Sequence, residues 1–193
     1  MTIGDRRRDG TRSRGMTAGV SDRLTVRPAR PDEIEEVGRL TLEAYLADGM
    51  VNPAGSYAAS LADASRRASD AELLVAVDPE GMVVGTITVC TPGSPLGELS
   101  RPGELEFRML AVAPGARRRG VGEALVRTML ARARKTGAHR VVLCSAEEMY
   151  VAHRLYARLG FIRMPERDWY PLPGVRLLAF GATTVASRAS GLR

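Results

Sequence analysis

The chain has 193 residues, of which 45% are hydrophobic and 26% are charged, as in an ordinary soluble globular protein. No apolar run approaches the roughly 20 residues that a membrane-spanning helix needs, so a helical membrane protein is excluded. The net charge is +6, but the arginines are dispersed and only 5% of the residues are aromatic, so no nucleic-acid partner is expected. Because no apolar segment follows Arg6, Arg7 and Arg8, we predict no secretion signal, no membrane contact and a cytoplasmic protein.

Cysteine and histidine are scarce. The two cysteines, Cys90 and Cys144, and the two histidines, His139 and His153, lack the spacing of a metal site, a redox motif or a disulfide framework. We therefore predict no bound metal, two buried or half-buried thiols, and an exposed helical position for His153.

The two ends of the chain differ in composition from its body. Residues 1–20 contain five arginines and two aspartates with little to bury, which predicts a disordered basic tail. The remaining length fits one domain over residues 21–185, followed by a C-terminal tail over 186–193.

Helix and strand signals in the first half begin with a short alternating strand over residues 24–28. Pro31 followed by two acidic residues predicts a helix start, and a break at 52–55 separates that helix from a second one over 57–69. Two strands joined by a tight turn are predicted over 72–77 and 82–89.

The second half continues with a Pro/Gly-rich loop over 91–103. The elements predicted after it are a strand over 104–112, a helix over 121–136, a strand over 139–144, a helix over 149–159, and strands over 161–164 and 175–180 with a loop over 165–174 between them. This order of elements implies a mixed α/β sheet.

An Arg/Gly loop joins the strand at 104–112 to the helix that follows. Three arginines, Arg117, Arg118 and Arg119, precede Gly120, Val121 and Gly122 at the helix start. A helix N-terminus has unpaired N–H groups and a partial positive charge, and glycine lets a phosphate approach the backbone closely. The loop therefore predicts a diphosphate ligand.

Two other phosphate-binding loops do not fit. A P-loop requires Lys and Ser or Thr where Val121 and Gly122 stand. The dinucleotide-binding pattern requires a small third residue where Leu125 stands.

The loop does resemble the [QR]-x-x-G-x-[GA] signature of the GNAT family of N-acetyltransferases, with Arg117, Gly120 and Gly122 at the fixed positions. The segment 152–161 resembles the family's second motif, A-x-x-L-Y-x-x-x-G-F. The resemblance is clear over 104–163 and extends plausibly over 22–181. It implies a single-domain GNAT acyltransferase fold with acetyl-CoA as co-substrate and no metal.

The resemblance also implies roles for individual residues. A β-bulge where Met109-Leu110 interrupts the strand alternation would free backbone groups of Leu110, Ala111 and Val112 for the pantetheine arm. Tyr156 would protonate the departing thiolate, and Glu106 would act as a base, directly or through water. Tyr156 could equally be a core aromatic residue, and Glu106 could be a structural ion-pair or hinge acid.

The chain departs from the family at two positions. Cys144 stands where other members carry a carboxylate base, and Met149 stands where many carry an asparagine. These departures put a peptide N-terminus acceptor in doubt.

The acceptor is a small-molecule or peptide amine on this resemblance. Tyr45, Tyr57, Asp168, Trp169 and Tyr170 could line its pocket, although ordinary packing explains each of them as well. No Ser-His or Cys-His motif is recognisable, which agrees with direct transfer to a primary amine. Two alternatives stay open, a non-catalytic acyl-CoA-binding module and a nucleic-acid-binding protein, and a homodimer is possible.

Overall fold

The protein is described here by a computed structural model over residues 24–184. The tails predicted at 1–20 and 186–193 lie outside the described residues.

Eight strands form one sheet. They are β1 (Thr25–Pro28), β2 (Glu72–Val77), β3 (Val83–Cys90), β4 (Glu104–Val112), β5 (Arg140–Ala146), β6 (Ile162–Arg163), β7 (Trp169–Leu172) and β8 (Val175–Thr183). The order across the sheet is β1-β2-β3-β4-β5-β8-β6, with β7 also paired to β8. Only the β4–β5 pair is parallel, and every other pair is antiparallel.

Five α-helices cover the sheet. They are α1 (Ile34–Ala47), α2 (Ser56–Ala62), α3 (Ala64–Asp70), α4 (Val121–Thr136) and α5 (Tyr150–Arg158). One face of the sheet carries α4 and α5 over the larger apolar core, which contains Leu125, Met129 and Phe107. The opposite face carries α1–α3, where Val37 and Leu40 pack on the strands. The predicted mixed α/β sheet is confirmed.

Strand β4 contains the predicted bulge. Thr86 of β3 pairs with Ala111, but Thr88 pairs with Arg108, so β4 has one residue more than β3 between these pairs. Met109 has a φ of 50°, a left-handed conformation that non-glycine residues rarely adopt. On its other side β4 pairs with β5 only from Glu104 to Glu106. Beyond Glu106 the two parallel strands diverge, and a cleft opens between them.

The structure corrects two predicted elements. The helix predicted over 57–69 is divided at Asp63, whose backbone is non-helical and whose side chain accepts a hydrogen bond from the Arg66 N–H at 3.0 Å to cap α3. The loop predicted over 165–174 contains strand β7, which sequence alternation missed because Pro171 interrupts it.

Candidate active site

The start of α4 presents unpaired backbone donors. Arg118 and Gly120 have φ values of 61° and 81°, and this left-handed turn leads directly into the first turn of α4. Within residues 24–184 the backbone N–H groups of 118–123 have no hydrogen-bond acceptor. The loop can therefore bind an anion through several N–H groups, assisted by the positive end of the helix dipole.

The three arginines of the loop differ in their contacts. Arg117 is half-buried and donates to Asp48 Oδ1 at 2.8 Å and to the Ala44 carbonyl at 3.2 Å, so it joins the loop to the C-terminal end of α1. Arg118 and Arg119 are exposed, and neither forms an ion pair with the described part of the chain. These two side chains are the cations available to a bound anion.

Gly122 lies on the protein side of this helix start. A Cβ added there would contact the side chains of Leu155 and Val112 at 3.4 and 3.6 Å, which is ordinary van der Waals contact. A Cβ at Gly120 would meet nothing within 4 Å, so Gly120 is needed for its backbone conformation and not for space.

The cleft between β4 and β5 lies beside the part of β4 that leads into this loop. Its lining residues are Tyr45, Phe107, Arg108, Met109, Leu110, Cys144, Ser145, Met149 and Tyr156. A larger depression of about 330 Å³ lies beside Ile34 and Leu73, but Glu72 is its only titratable lining residue. We place the site in the narrower cleft because it contains the titratable side chains and the unpaired strand edge.

Tyr156 lies on the α4/α5 side of the cleft and is 4% exposed. Its ring packs against Phe107, Phe161 and Phe180, with centroids 5.8–6.0 Å apart. Burial raises the pKa of the Tyr156 hydroxyl. The residue is therefore both a core aromatic and a protonated hydroxyl beside the cleft.

Glu106 lies on the opposite face and is fully buried. Its Oε2 accepts hydrogen bonds from the backbone N–H groups of Glu98, Leu99 and Ser100 at 2.9–3.0 Å. Its carboxylate thus fixes the turn that precedes β4.

That turn presents Glu98, which sequence reasoning did not select. Glu98 Oε1 lies 2.5 Å from Arg108 Nη2, and Arg108 also donates to the Leu96 carbonyl at 2.7 Å. Burial raises the pKa of the Glu98 carboxyl, nearby Arg108 lowers it and nearby Glu106 raises it, and the net direction is upward. The only sequence signal was an acid in a Pro/Gly-rich loop, which is too common to be informative.

Tyr45 and Tyr57 meet on this same face. Their rings are 6.3 Å apart in an edge-to-face arrangement, and Tyr57 is 43% exposed. Burial raises the pKa of Tyr57, while the nearby Arg108 charge lowers it and the Glu98 charge raises it, so Tyr57 lies within electrostatic range of the ion pair.

The prediction that His153 is an exposed helix residue is wrong. Its ring nitrogen Nε2 lies 3.1 Å from Ser145 Oγ, and the ring packs on Phe180 with centroids 5.0 Å apart. Burial lowers the pKa of His153. The structure therefore forms a Ser–His contact beside the cleft that the sequence did not reveal, because the two residues lie on different elements.

The aromatic and acidic residues of segment 165–174 are mostly engaged elsewhere. Burial raises the pKa of Asp168, but hydrogen bonds from Arg163, the Ala179 N–H and Arg176 lower it overall. Asp168 thus connects β8 with its neighbours and has no free side for an amine. Tyr170 is exposed, and the Trp169 side chain lies near the Cys144 thiol.

The two cysteines behave as predicted for free thiols. Cys90 is buried, Cys144 is half-buried, and burial raises the pKa of each to about 11. Both are protonated at neutral pH and are poor nucleophiles.

In residues 24–184, no helix is long and apolar enough to cross a membrane. The same residues contain no cluster of three or more His, Cys, Asp or Glu side chains arranged to hold a metal ion.

Comparison with known proteins identifies the family. The model of the acetyltransferase (GNAT) family matches residues 37–161, which is more than half of the chain and includes both the Arg/Gly loop and Tyr156. The chain belongs to the GNAT acetyltransferase family.

One curated relative of this GNAT protein is N-acetyltransferase family 8 member 3 of Rattus norvegicus, which is 38% identical over 89 residues. The match covers 46% of this chain and only 38% of the rat protein.

Solved structures have the same fold. A GNAT-family protein of Desulfovibrio desulfuricans superposes with a TM-score of 0.66 at 18% identity, covering 84% of this chain and all of that one. A GCN5-related N-acetyltransferase of Kribbella flavida gives a TM-score of 0.60 at 25% identity over 83% of this chain and 97% of that one. A Salmonella typhimurium protein solved with its cofactor acetyl-CoA gives 0.58 at 20% identity over 86% of this chain and 97% of that one.

Proposed function

We propose that this GNAT protein transfers an acetyl group from acetyl-CoA directly to a primary amine. The observation that carries the proposal is the arrangement of three features along β4. Tyr156 lines the cleft where β4 separates from β5, the unpaired edge of β4 continues from that point, and the strand then leads through a short loop to the unpaired donors at the start of α4.

The binding half of the proposal uses backbone groups. The N–H groups of 118–123 would hold the pyrophosphate, with Arg118 and Arg119 adding positive charge. Beyond the bulge, Leu110, Ala111 and Val112 have no β5 partner, so their backbone groups are free on that side to bind an extended pantetheine arm as a strand would.

The chemical half is a single displacement. The amine nitrogen forms a bond to the acetyl carbon, the carbon–sulfur bond breaks, and the sulfur leaves as a thiolate. Tyr156 donates its hydroxyl proton, or a hydrogen bond, to that sulfur, and because burial raises the pKa of the hydroxyl it is protonated at neutral pH. The amine loses its proton to a base on the opposite face, for which Glu106 is the residue that the family resemblance implies.

A small-molecule or peptide amine is the acceptor class. The tyrosine pair and the Glu98–Arg108 ion pair on the α1–α3 side form a wall with both an aromatic surface and an acid, which suits an ammonium group.

The test is thiol release from acetyl-CoA across a panel of amines, for the wild type and Tyr156→Phe. We expect Tyr156→Phe to lower kcat by about 10²–10⁴-fold, the range for positioned proton transfer, with CoA-dependent thermal stabilisation unchanged. Tyr150→Phe, an exposed tyrosine on the same helix, is the matched control and should behave as wild type. A protein that CoA stabilises but that releases no thiol with any amine would instead be a non-catalytic acyl-CoA-binding module.

A further inference from the structure

The turn between β3 and β4 is held by a buried charge. Glu106 is 0% exposed, and its carboxylate accepts hydrogen bonds from three backbone N–H groups, those of residues 98–100. All three reach Oε2, and the Glu98 N–H is shared with Oε1 at 3.2 Å. Oε2 is therefore fully engaged, Oε1 also faces the turn, and complete burial leaves neither oxygen exposed to a substrate.

The turn delivers a second carboxylate to the same face. Glu98 lies in this turn and is partly exposed, since 26% of its side-chain surface is accessible to solvent. Arg108, which lines the cleft beside Tyr156, fixes Glu98 through Oε1. Among the described residues nothing donates a hydrogen bond to Glu98 Oε2.

The surroundings of Glu98 come from four elements. Arg108 and Glu106 face it from β4, Tyr57 from α2, Cys90 from β3 and Cys144 from β5. Arg108 is the one cation in this set, and its ion pair is with Glu98. Burial and the Glu106 charge raise the pKa of Glu98 more than Arg108 lowers it, which makes its carboxylate a stronger base than an exposed glutamate.

We propose that Glu98 is the proton acceptor for the attacking amine and that Glu106 is a positioning residue which acts by holding the turn that carries Glu98. This inference rests on the proposed acetyltransferase function. The acceptor is then a cationic amine that approaches past the exposed edge of Tyr57. Its ammonium group gives one proton to Glu98 Oε2, which passes it to solvent, to which it is partly exposed. The resulting neutral amine attacks the acetyl carbon, and the carbon–sulfur bond breaks. The nitrogen loses its second proton by the same route as the amide forms, and the thiolate takes a proton from Tyr156, which solvent reprotonates.

The experiment compares pH profiles of kcat/KM for Glu98→Gln, Glu106→Gln and the wild type, with the best amine of the panel. We expect Glu98→Gln to lower kcat/KM by about 10²-fold at pH 7, within the range for general base catalysis. The difference in kcat/KM between Glu98→Gln and the wild type should shrink at pH values above the pKa of the amine, because the amine is then already neutral in solution. CoA-dependent stabilisation should stay as in the wild type.

Two of the comparisons separate positioning from catalysis. A third variant, Glu72→Gln, removes another partly exposed Glu–Arg pair, with Arg132 on the far side of the sheet, and should leave the pH profile unchanged. Glu106→Gln should lower the melting temperature and the activity together. Its acidic limb should persist, because Glu98 is still the group that titrates, but should move to lower pH, because the Glu106 charge that raises the pKa of Glu98 is gone.

The outcomes decide between the two glutamates. A Glu98→Gln profile that overlays the wild type would overturn the proposal, as would loss of the acidic limb in a folded Glu106→Gln enzyme. Both results leave the acetyltransferase function standing. Absence of thiol release by the wild type itself would instead refute the proposed function.

Discussion

On the face that α4 and α5 cover, the cleft is walled by aromatic rings packed 5.8–6.0 Å apart around Phe107 and Tyr156. On the face that α1–α3 cover, the wall consists of charged groups in hydrogen bonds, including Glu106 and the Glu98–Arg108 pair. Apolar side chains pack tightly without water and need no hydrogen-bond partner. A buried charged group, by contrast, is stable only when hydrogen bonds compensate for its loss of water. The first face thus fixes a protonated hydroxyl, and the second fixes carboxylates.

The buried arginine of the α1–α3 layer shows the same difference. Arg67 is 3% exposed and donates to the carbonyl groups of Ser60 and Leu61 and to the Thr41 hydroxyl. Arg67 thus caps the C-terminal end of α2. The short helices of this layer are stabilised by such polar hydrogen bonds, whereas α4 is stabilised by the burial of its apolar face.

The largest expected effect comes from the aromatic wall. Phe107→Ala should reduce the free energy of unfolding by about 3–5 kcal/mol, because it leaves a cavity beneath the rings of Tyr156 and Phe161. Urea denaturation measures the change, with Phe107→Leu, which keeps part of the apolar volume but no ring, as the control with a clearly smaller loss. Equal losses for both variants would mean that the ring contacts, and not the filled volume, stabilise this wall.

The charged layer should make stability depend on acid. Glu33 at the start of α1 pairs with Arg27 at 2.5 and 2.7 Å and accepts from the Arg30 N–H at 2.8 Å, and the Arg27 hydrogen bonds lower its pKa to about 2. A carboxyl whose folded pKa is lowered stabilises the protein above its unfolded pKa, about 4.3, and loses that contribution as the pH falls toward 2. Glu33→Gln should therefore cost about 2 kcal/mol at pH 7.

Denaturation at pH 7 and at pH 2–3 measures this difference. The difference in free energy of unfolding between the wild type and Glu33→Gln should become steadily smaller as the pH falls. Glu36→Gln, which removes an exposed pair with Arg39, is the control and should change stability by less than about 1 kcal/mol at any pH. A gap that does not narrow would show that Glu33 acts by packing and not by charge.

The phosphate-binding loop gives a prediction about two glycines. Gly120→Ala places a Cβ at a φ of 81° and should cost about 1–2 kcal/mol, together with most of the CoA-dependent thermal stabilisation. The added Cβ in Gly122→Ala makes only ordinary contacts with Leu155 and Val112, so this variant should keep both the wild-type stability and the CoA-dependent stabilisation. Thermal shift with and without CoA measures both variants, and equal behaviour of the two would contradict a loop that needs the left-handed turn.

The smallest effect is expected at the ion pair that joins the phosphate-binding loop to the C-terminal end of α1. Arg117 bonds to Asp48 of the α1 end, and both side chains are more than a third exposed. Asp48→Ala should change the free energy of unfolding by less than about 1 kcal/mol and should tighten CoA binding by less than about fivefold, because it releases Arg117 toward the loop. Titration of CoA at low and high salt measures the shift. Weaker CoA binding in Asp48→Ala would show that the link to α1 positions the loop.

The structure contains both backbone features that were expected beside the cofactor. The glycine turn at 120 was expected from the residue types at a helix start, and the bulge at Met109 from a break in strand alternation together with the GNAT resemblance. The cofactor-binding roles of these residues stay predictions. The family model over 37–161 confirms the GNAT assignment made from these motifs. The roles of Tyr156 and Glu106 stay predictions.

The errors have different causes. A local capping bond from Asp63 to the Arg66 N–H divides the second helix, and β7 forms because β8 offers it a partner edge for backbone pairing. His153 was judged by its helix alone, although its partner Ser145 is on a neighbouring strand.

The sequence by itself determined the order of elements apart from β7 and the divided second helix, the Arg/Gly loop at a helix start, and the inward position of Tyr156, since glycine placement and apolar periodicity act over short distances along the chain. Only the tertiary structure decided what stands on the acceptor side. Tyr57, Glu98 and Arg108 come from three separate elements, and Glu106 bonds to a turn six to eight residues before it. Hydrogen bonds of that kind form only when folding excludes water from both partners, so no pattern in the chain announces them.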